Sequence, residues 1–459
     1  MSKRILPVWI GKLEMSKPGS INSIYHYAPD PRTCFRSAHI LACLHGYPLG
    51  FLDFELDNKA PDLTTTIGIA WRSLQEAIVQ HASIDGLPLS MIEGAPTKHL
   101  TTEVDYLNNY NQSISRHLDK EDFGQKECRK WRDVGGGTPP ISVVLCTRNR
   151  ASQLLNSLQA LLNISYEKFE VIVVDNDPSD ESTRNAVEAM VGNDDRFTYV
   201  VEPARGLSNA RNRGLRVANN QIVAFIDDDT IADPMWLRGI AKGFRMDPNA
   251  GCVTGLVSPA QLDNEYQHYF YERITWPTAI ETRVFDLVAN RDTSPLYPFN
   301  GGMFGIGANF AVDRSYATSL GYFDPILGAG GPVGGGEDID MFSRIILGGR
   351  SLVYEPAAIV WDILRADERE IKDQLYTYGR GLGGYLAKHL SNPQYRSYML
   401  RRTPFGILHM LNRFGKGRRY GKQSSMLRTN ALIRTEISGI FAGLLIYWQV
   451  QHKTVRYLQ

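Results

Sequence analysis

Between residues 141 and 230 short apolar runs alternate with segments of helical periodicity, and this alternation restricts the fold more than any other feature of the chain. Ile141-Ser-Val-Val-Leu145 is the nearly continuous apolar run that a strand buried on both faces requires. Leu154, Leu155, Leu158, Leu161 and Leu162 follow at helical spacing. Val171-Ile-Val-Val174 reads as the next strand, a further helical stretch leads to Phe197-Thr-Tyr-Val-Val201, and a helix around residues 210–218 leads to Ile222-Val-Ala-Phe-Ile226. Buried strands alternating with amphipathic helices specify an α/β domain with a mostly parallel sheet and flanking helices.

In open sheets of this class ligands sit beyond the carboxyl ends of the strands. The first strand ends at Thr147-Arg148-Asn149-Arg150, the second at Asp175-Asn176-Asp177, and the later one at Asp227-Asp228-Asp229. One basic and two acidic clusters therefore share a rim. Strand alternation puts Asp227 and Asp229 on one face and Asp228 on the other. Two like charges at that spacing repel unless a hard divalent cation or a set of donors lies between them. Taken alone, the triplet reads equally well as an acidic turn or helix cap.

With 459 residues the chain has room for two or three domains. Its net charge of +1 argues against general nucleic-acid binding. Cys34, Cys43, Cys128, Cys146 and Cys252 are scattered without metal-ligand spacing and read as reduced intracellular thiols. Met1-Ser-Lys-Arg-Ile-Leu-Pro7 lacks the apolar run of a signal peptide. The longest apolar candidate, Ile437 to Trp448, falls short of the roughly 18 residues of a spanning helix, so a cytoplasmic location is expected.

Residues 1–135 form an expected small α+β module without an assigned role. A hairpin is predicted over residues 36–56 around His45-Gly46-Tyr47-Pro48, and a helix over Ile67 to His81. His26, His39, His45, His81, His99 and His117 show no ligand spacing. The charged stretch from Lys120 to Arg132 and Gly135-Gly-Gly-Thr-Pro-Pro140 mark the boundary to a catalytic domain over residues 138–365. Residues 366–459 form a helical, basic region: from Arg380 onward there are fourteen Lys or Arg and one acid, Glu436. Basic residues interleaved with Tyr398, Met399, Phe405 and Phe414 suit an anionic membrane surface, with peripheral attachment at the inner face of a membrane, better than nucleic acid.

Ile141-Ser-Val-Val-Leu-Cys-Thr-Arg-Asn-Arg150, Val171-Ile-Val-Val-Asp-Asn176, Gly206-Leu-Ser-Asn-Ala-Arg-Asn-Arg-Gly214 and Phe225-Ile-Asp-Asp-Asp229 together resemble the family 2 glycosyltransferases of GT-A fold, over about residues 140–365. The resemblance implies an inverting, metal-dependent transfer of a hexosyl group from a nucleotide sugar to an acceptor hydroxyl. The donor is expected to be a UDP-sugar first and a GDP- or dTDP-sugar next, and the acceptor a glycan, glycolipid or other lipid-linked group. By motif, Thr147, Arg148, Asn149, Arg150, Asp175, Asn209, Arg211, Asp227 and Asp228 carry the donor, and Asp227 and Asp229 hold Mn2+ or Mg2+. Glu337-Asp338 matches the family's acidic pair, with Asp338 as general base for the acceptor hydroxyl and Glu337 as its partner. The Gly-rich run from Gly328 to Gly336 is expected to be a mobile lid.

Many members place a His after the following strand, whereas this chain has no His between His268 and His389. Asp362 stands at about that position, either as an oxygen donor to metal or as the mark of a lost role. Two other functions remain open: a catalytically silent sugar- or lipid-binding module, and a nucleotidyltransferase on a related fold. The latter should carry a Gly-rich phosphate loop after the first strand, and Cys146 to Arg150 lacks the glycines.

Overall fold

The computed structural model describes residues 7–15, 21–24, 35–84, 131, 138–272, 278–402, 404–406 and 426–458. They divide into two compact units: Arg4–Gly137 with Ser258–Gln267, and Thr138–Val257 with His268–Gln459.

In the first unit β1 (Val8–Glu14), β2 (Ile21–Ser23), β3 (Ser37–Leu44) and β4 (Tyr47–Glu55) form a sheet in the order β2-β1-β3-β4. The predicted hairpin is β3–β4; its two turn residues, His45 and Gly46, take φ of 55° and 77°, which suits the twist of a tight antiparallel connection. Helix α1 (Leu63–Ile84) starts earlier than its apolar spacing predicts because the Asp62 carboxylate accepts from Thr65 N at 2.9 Å and caps it. Ile67, Ala70, Trp71 and Ile78 bury the helix's apolar face in one core with Ile40 and Leu52. His39 bonds Asp53 at 2.6 Å, and His45 lies 3.3 Å from His81. His26, His99, His117 and the charged segment 120–130 lie outside the described residues.

In the second unit, among the described residues, nine strands make one sheet: β5 (Ile141–Thr147), β6 (Phe169–Asn176), β7 (Phe197–Glu202), β8 (Ile222–Asp227), β9 (Thr230–Ala232), β10 (Ala250–Pro259), β11 (Arg283–Phe285), β12 (Asn309–Asp313) and β13 (Ser351–Asp362). Their order is β11-β13-β10-β12-β8-β5-β6-β7, with β9 paired to β13. The expected parallel pairing holds for β8-β5-β6-β7, and the first three of these strands carry the rim clusters. Beyond β8 the pairs β12–β8, β10–β12 and β11–β13 are antiparallel.

Helices cover both faces, as the alternation predicts. Leu154, Leu158 and Leu161 of α2 (Ala151–Leu162) and Trp236 and Ile240 of α5 (Trp236–Met246) pack on one face, together with Val187 of α3 (Ser182–Val191). Ala210 and Leu215 of α4 (Leu207–Val217) pack on the other, with Met341, Phe342 and Ile345 of α6 (Glu337–Leu347). Every residue of β5 is buried, which accounts for its unbroken apolar run.

Two long helices complete this unit, α7 (Glu368–Ser391) and α8 (Met426–Leu458). A Cβ on Gly379 or Gly383 would fall on the carbonyl oxygens of Glu436 and Ile440, and one on Gly439 or Gly443 would fall on those of Tyr376 and Arg380. Glycines four residues apart on both helices thus allow backbone contact. Lys388 ties α7 to Asp340 of α6 at 2.9 Å and to Asp324 at 3.0 Å. Against the upward push of burial, Lys388 and Arg344 hold the Asp340 carboxyl far below the usual range.

Two expectations change here. The Ile437–Trp448 run, expected to be too short, belongs to a helix whose 23-residue segment Ala431–Lys453 contains an 18-residue window of mean hydropathy 1.3 and is, by length and composition, long and apolar enough to cross a membrane. Arg434 and Glu436, just before the run, do not lower the average of that window sufficiently to exclude it. The Gly328–Gly336 stretch, expected to be mobile, is instead pinned. Leu207 N donates to Ala329 O at 2.8 Å, Ser208 Oγ to Leu327 O at 3.0 Å, and Arg380 Nη2 to Pro332 O at 2.6 Å. Its glycines serve close packing: Gly336 has φ 88° and meets the backbone of Gly381.

Candidate active site

Strand register builds the rim. Cys146 pairs with Asp227, and Thr147 with Asp175, so the ends of β8, β5 and β6 lie side by side. Strand β8 ends at Asp227; Asp228 and Asp229 form the turn into β9, which pairs with the end of β13 and brings Asp362 opposite Thr230.

The acidic triplet divides as the alternation predicts. Asp228 points inward, accepting from Thr147 Oγ1 at 2.7 Å and Arg150 Nη1 at 3.1 Å. Asp227 keeps 33% of its side-chain exposure, and its Oδ1 meets Arg211 Nη2 at 3.2 Å. Asp229 Oδ2 is shared by Arg365 Nη2 at 2.9 Å and Arg150 Nη1 at 3.3 Å. Burial, opposed by Arg211 and reinforced by Asp229 and Asp228, pushes the Asp227 carboxyl up to about 7. Burial and the neighbouring Asp229 also raise Asp228. Asp362 is raised well above its ordinary value by burial and then by Asp229 and Asp227, with Arg365 opposing.

The donor chemistry of this rim suits a hard divalent cation. Asp227 and Asp229 each use one carboxylate oxygen in bonds among the described residues and leave the other open. No group of three or more His, Cys, Asp and Glu among the described residues is arranged to hold a metal ion. A cation here would rest on two carboxylates and complete its shell with ligand oxygens and water.

At the end of β6, Asp175 is fully buried. Its Oδ2 accepts from the Tyr199 hydroxyl at 2.7 Å, while its Oδ1 is buried without a partner among the described residues. Burial raises its pKa, opposed by the neighbouring hydroxyls of Tyr199 and Thr183. An unpaired buried acceptor of this kind fits an N–H of a nucleobase or a ribose hydroxyl. Tyr199 escaped the sequence reading because only sheet pairing reveals it as a diagonal neighbour of Asp175: it lies opposite Val173 in the β6–β7 ladder.

The remaining predicted donor residues are placed less uniformly. Arg148 bonds Asp177 at 2.9 Å, and Asn149, at φ 53°, accepts from Ser179 N at 3.0 Å. Asn209 bonds back to Arg205 O at 3.0 Å, at the start of α4. Arg211 departs from expectation. Its side chain is only 2% exposed and spans Glu337 Oε1 at 2.6 Å, Asp227 Oδ1 at 3.2 Å and Gly307 O at 2.9 Å. Two buried acceptors and the partly exposed Asp227 surround the guanidinium, so it lies beneath the rim as an internal cation and does not reach outward to a diphosphate.

Asp338 stands in the first turn of α6. Its Oδ2 accepts from Gly307 N at 2.7 Å and its Oδ1 from Ile339 N at 2.8 Å. Glu337 is buried against Arg211; burial, only partly offset by that guanidinium, pushes it up to about 7. Arg365, three residues beyond Asp362, was also missed, since a lone Arg after a strand carries no motif.

Residues 142–318 match the family described as Glycosyl transferase family 2. Among curated proteins, the chain is 28% identical over 148 residues to the glucosyl-dolichyl phosphate glucuronosyltransferase of Haloferax volcanii, covering 32% of this chain and 46% of the relative. It is 25% identical over 225 residues to the poly-beta-1,6-N-acetyl-D-glucosamine synthase of Staphylococcus aureus, covering 48% and 49%. The chain spans about half the length of the curated relatives it matches. Among solved structures, a mannosyltransferase from Pyrobaculum calidifontis in complex with GDP-Man and Mn2+ superposes with a TM-score of 0.45 at 19% identity, over 70% of this chain and 92% of that one.

Proposed function

We propose, from the match of residues 142–318 to the family 2 glycosyltransferases, that the protein transfers a sugar, with inversion, from a nucleotide sugar to an acceptor hydroxyl. The observation that carries this reading is the shared rim of Asp175, with its unpartnered Oδ1, and the Asp227–Asp229 turn, joined by strand register.

In this reading Asp175 accepts from the base or ribose, Tyr199 holds its other oxygen, and Arg148 and Arg150 face the phosphates. Asp227 and Asp229 would hold Mn2+ or Mg2+, which when bound neutralises the charge developing on the departing nucleoside diphosphate. Arg365 and Arg150, already paired with Asp229, hold that carboxylate in orientation. Asp338 takes the proton of the acceptor hydroxyl as the new bond forms. Two backbone N–H groups fix its orientation, and a carboxylate takes a hydroxyl proton late, as the new bond forms. UDP-sugars are the first donors to test, with GDP- and dTDP-sugars next.

The acceptor side has a further component. Phe441, Leu445 and Trp448 are exposed along one stripe of α8, with Arg434 and Lys453 exposed at its two ends. That composition suits the interface of an anionic membrane, and a lipid-linked acceptor would give the surface a use. The opposite face of α8 is packed on α7, which favours lying along the surface over crossing it.

A donor-hydrolysis panel of UDP-, GDP- and dTDP-sugars with Mn2+ tests the proposal. Turnover of one donor supports it; a folded protein that turns over none favours a silent binding module.

A further inference from the structure

We propose that the loop from Asp286 to Asn290 is a wedge that enters an anionic bilayer, with Leu287 and Val288 in the apolar layer and Arg291, Arg401 and Arg402 at the level of the lipid phosphates. The proposal rests on the membrane reading of α8 for its partner, and adds a second contact on a different part of the chain.

Val288 is 90% exposed, more than any other large apolar side chain among the described residues, and Leu287 beside it is exposed too. The loop that displays them is closed on itself. Asp286 Oδ1 accepts from Val288 N at 2.6 Å and from Asn290 N at 3.0 Å, and its Oδ2 accepts from Asn290 Nδ2 at 2.6 Å. The hydroxyl of the buried Tyr297 donates to Asp286 O at 2.5 Å and ties the base of the loop to the core. An apolar tip held out by its own hydrogen bonds loses little conformational freedom on insertion.

The arginines come from the other end of the same loop and from the helical residues 393–402 packed on it. Arg291 Nη2 donates to the Tyr398 hydroxyl at 3.3 Å, that hydroxyl donates to Tyr297 O, and the Arg402 guanidinium lies 3.2 Å from the centre of the Tyr398 ring. Two guanidinium groups thus meet at one tyrosine, and Arg402 Nε is buried without a partner among the described residues. Arg401 is exposed, and Leu400 and Phe405 are exposed by half or more. A Cβ on Gly406 would meet Leu296 Cδ2 at 3.7 Å, which sets Phe405 beside the loop.

Charge and shape select a bilayer. Over residues 286–292 and 393–406 four arginines, Arg291, Arg396, Arg401 and Arg402, stand against two carboxylates, Asp286 and Asp292. Both carboxylates accept backbone N–H groups of their own loop. Apolar tips flanked by arginine match the layering of a membrane interface, with methyl groups below the anionic phosphates and guanidinium groups among them. A protein partner would call for a broad, flat patch, whereas lipid closes around a single projecting tip.

The surface of α8 lies at the same end of α7. Helices α7 and α8 run in the same direction, with Gly379 against Glu436 and Gly383 against Ile440, and Lys388 and Tyr447 meet at Asp324 Oδ2. Trp448 is therefore level with the end of α7 from which residues 393–402 depart. Phe299, beyond the loop, packs on His389 and Tyr398, and Gly301 abuts Ile339, the neighbour of Asp338. Insertion of the loop brings the bilayer to the side of the site where the proposed base stands.

The test uses the full chain and vesicles of phosphatidylcholine, alone or with phosphatidylglycerol, read by co-sedimentation. The wild type should bind the anionic vesicles. Val288→Asp should weaken that binding about tenfold, and Arg401→Gln about fivefold, the latter on anionic vesicles only. Leu155→Asp, at an exposed leucine of α2, should bind like the wild type, and all three variants should keep its melting temperature. Insertion itself is read with Val288→Trp, whose added emission should shift to the blue and be quenched by brominated lipid beyond the quenching seen in the wild type. Equal binding by Val288→Asp, or an added tryptophan that stays in water, would overturn the wedge, and the α8 reading would stand if the Phe441, Leu445 and Trp448 substitutions still abolish binding. A folded wild type that binds neither vesicle would overturn the wedge and the membrane reading together, while donor turnover measured without vesicles decides glycosyl transfer separately.

Discussion

Arg211 donates to Glu337 across 2.6 Å, linking two motif segments 126 residues apart beneath the floor of the site. The same guanidinium reaches Asp227, so one buried positive charge is shared between two carboxylates, and both are pushed up to about 7. Arg211 thereby couples the acidic triplet to the helix that carries Asp338. In the proposed reaction its role is positional, through the separation it fixes between Asp227 and Glu337.

Removing that cation should be costly. Arg211→Met leaves Glu337 and Asp227 without their shared partner, and breaking a buried pair in this way costs about 3–5 kcal/mol. Urea unfolding measures it; a loss below about 1 kcal/mol would mean that the carboxylates do not depend on Arg211.

Glu337 gives a pH dependence with a defined sign. Its folded pKa is raised from 4.5 to about 7, so the folded state retains a proton that the unfolded chain has released. The group's contribution to stability therefore falls as pH rises from about 4.5 to about 7 and is constant above that. Glu337→Gln mimics the neutral form and lacks this fall. The melting temperature of the variant should gain on that of the wild type between pH 5 and pH 8, approximately the window of the shift; parallel curves contradict the assignment.

Asp338→Asn keeps the shape of the side chain and removes its basicity. Transfer should fall by about 100-fold or more, in line with the loss of a general base, while donor affinity stays within about twofold. Undiminished transfer would remove Asp338 from the base role.

The α8 surface predicts a sorting experiment. The protein should float with liposomes containing anionic lipid, and replacing Phe441, Leu445 and Trp448 by Ser should return it to the bottom fraction without lowering the melting temperature, because these side chains are exposed. Flotation that is indifferent to all three substitutions would place the contact elsewhere.

The strand-helix alternation after residue 141 made the parallel half of the sheet legible, because β5 and β6 are buried on both faces and carry no competing pattern. The rim followed from the strand-end rule, including the inward Asp228. The antiparallel half was not visible in the sequence. Its strands β11 and β12 are short, and their pairing is set by contacts far along the chain. Arg211 misled for a related reason: a motif Arg beside a helix start reads as solvent-facing until the burial of Glu337 is known. The pinned Gly328–Gly336 stretch shows the same limit, since a glycine run looks identical whether it serves motion or close approach to Gly381. Tyr199 and Arg365 owe their places to tertiary packing, and no local pattern marks them.

The most direct measurement is titration of UDP, GDP and dTDP into the wild type and Asp229→Asn, each with and without Mn2+. If the rim holds the diphosphate through a cation bound to Asp227 and Asp229, Mn2+ should tighten one of these nucleotides by about tenfold or more in the wild type, a gain of about 1.4 kcal/mol that Asp229→Asn largely loses. The same Mn2+ effect in both proteins, or no binding of any of the three by the folded wild type, would contradict the account.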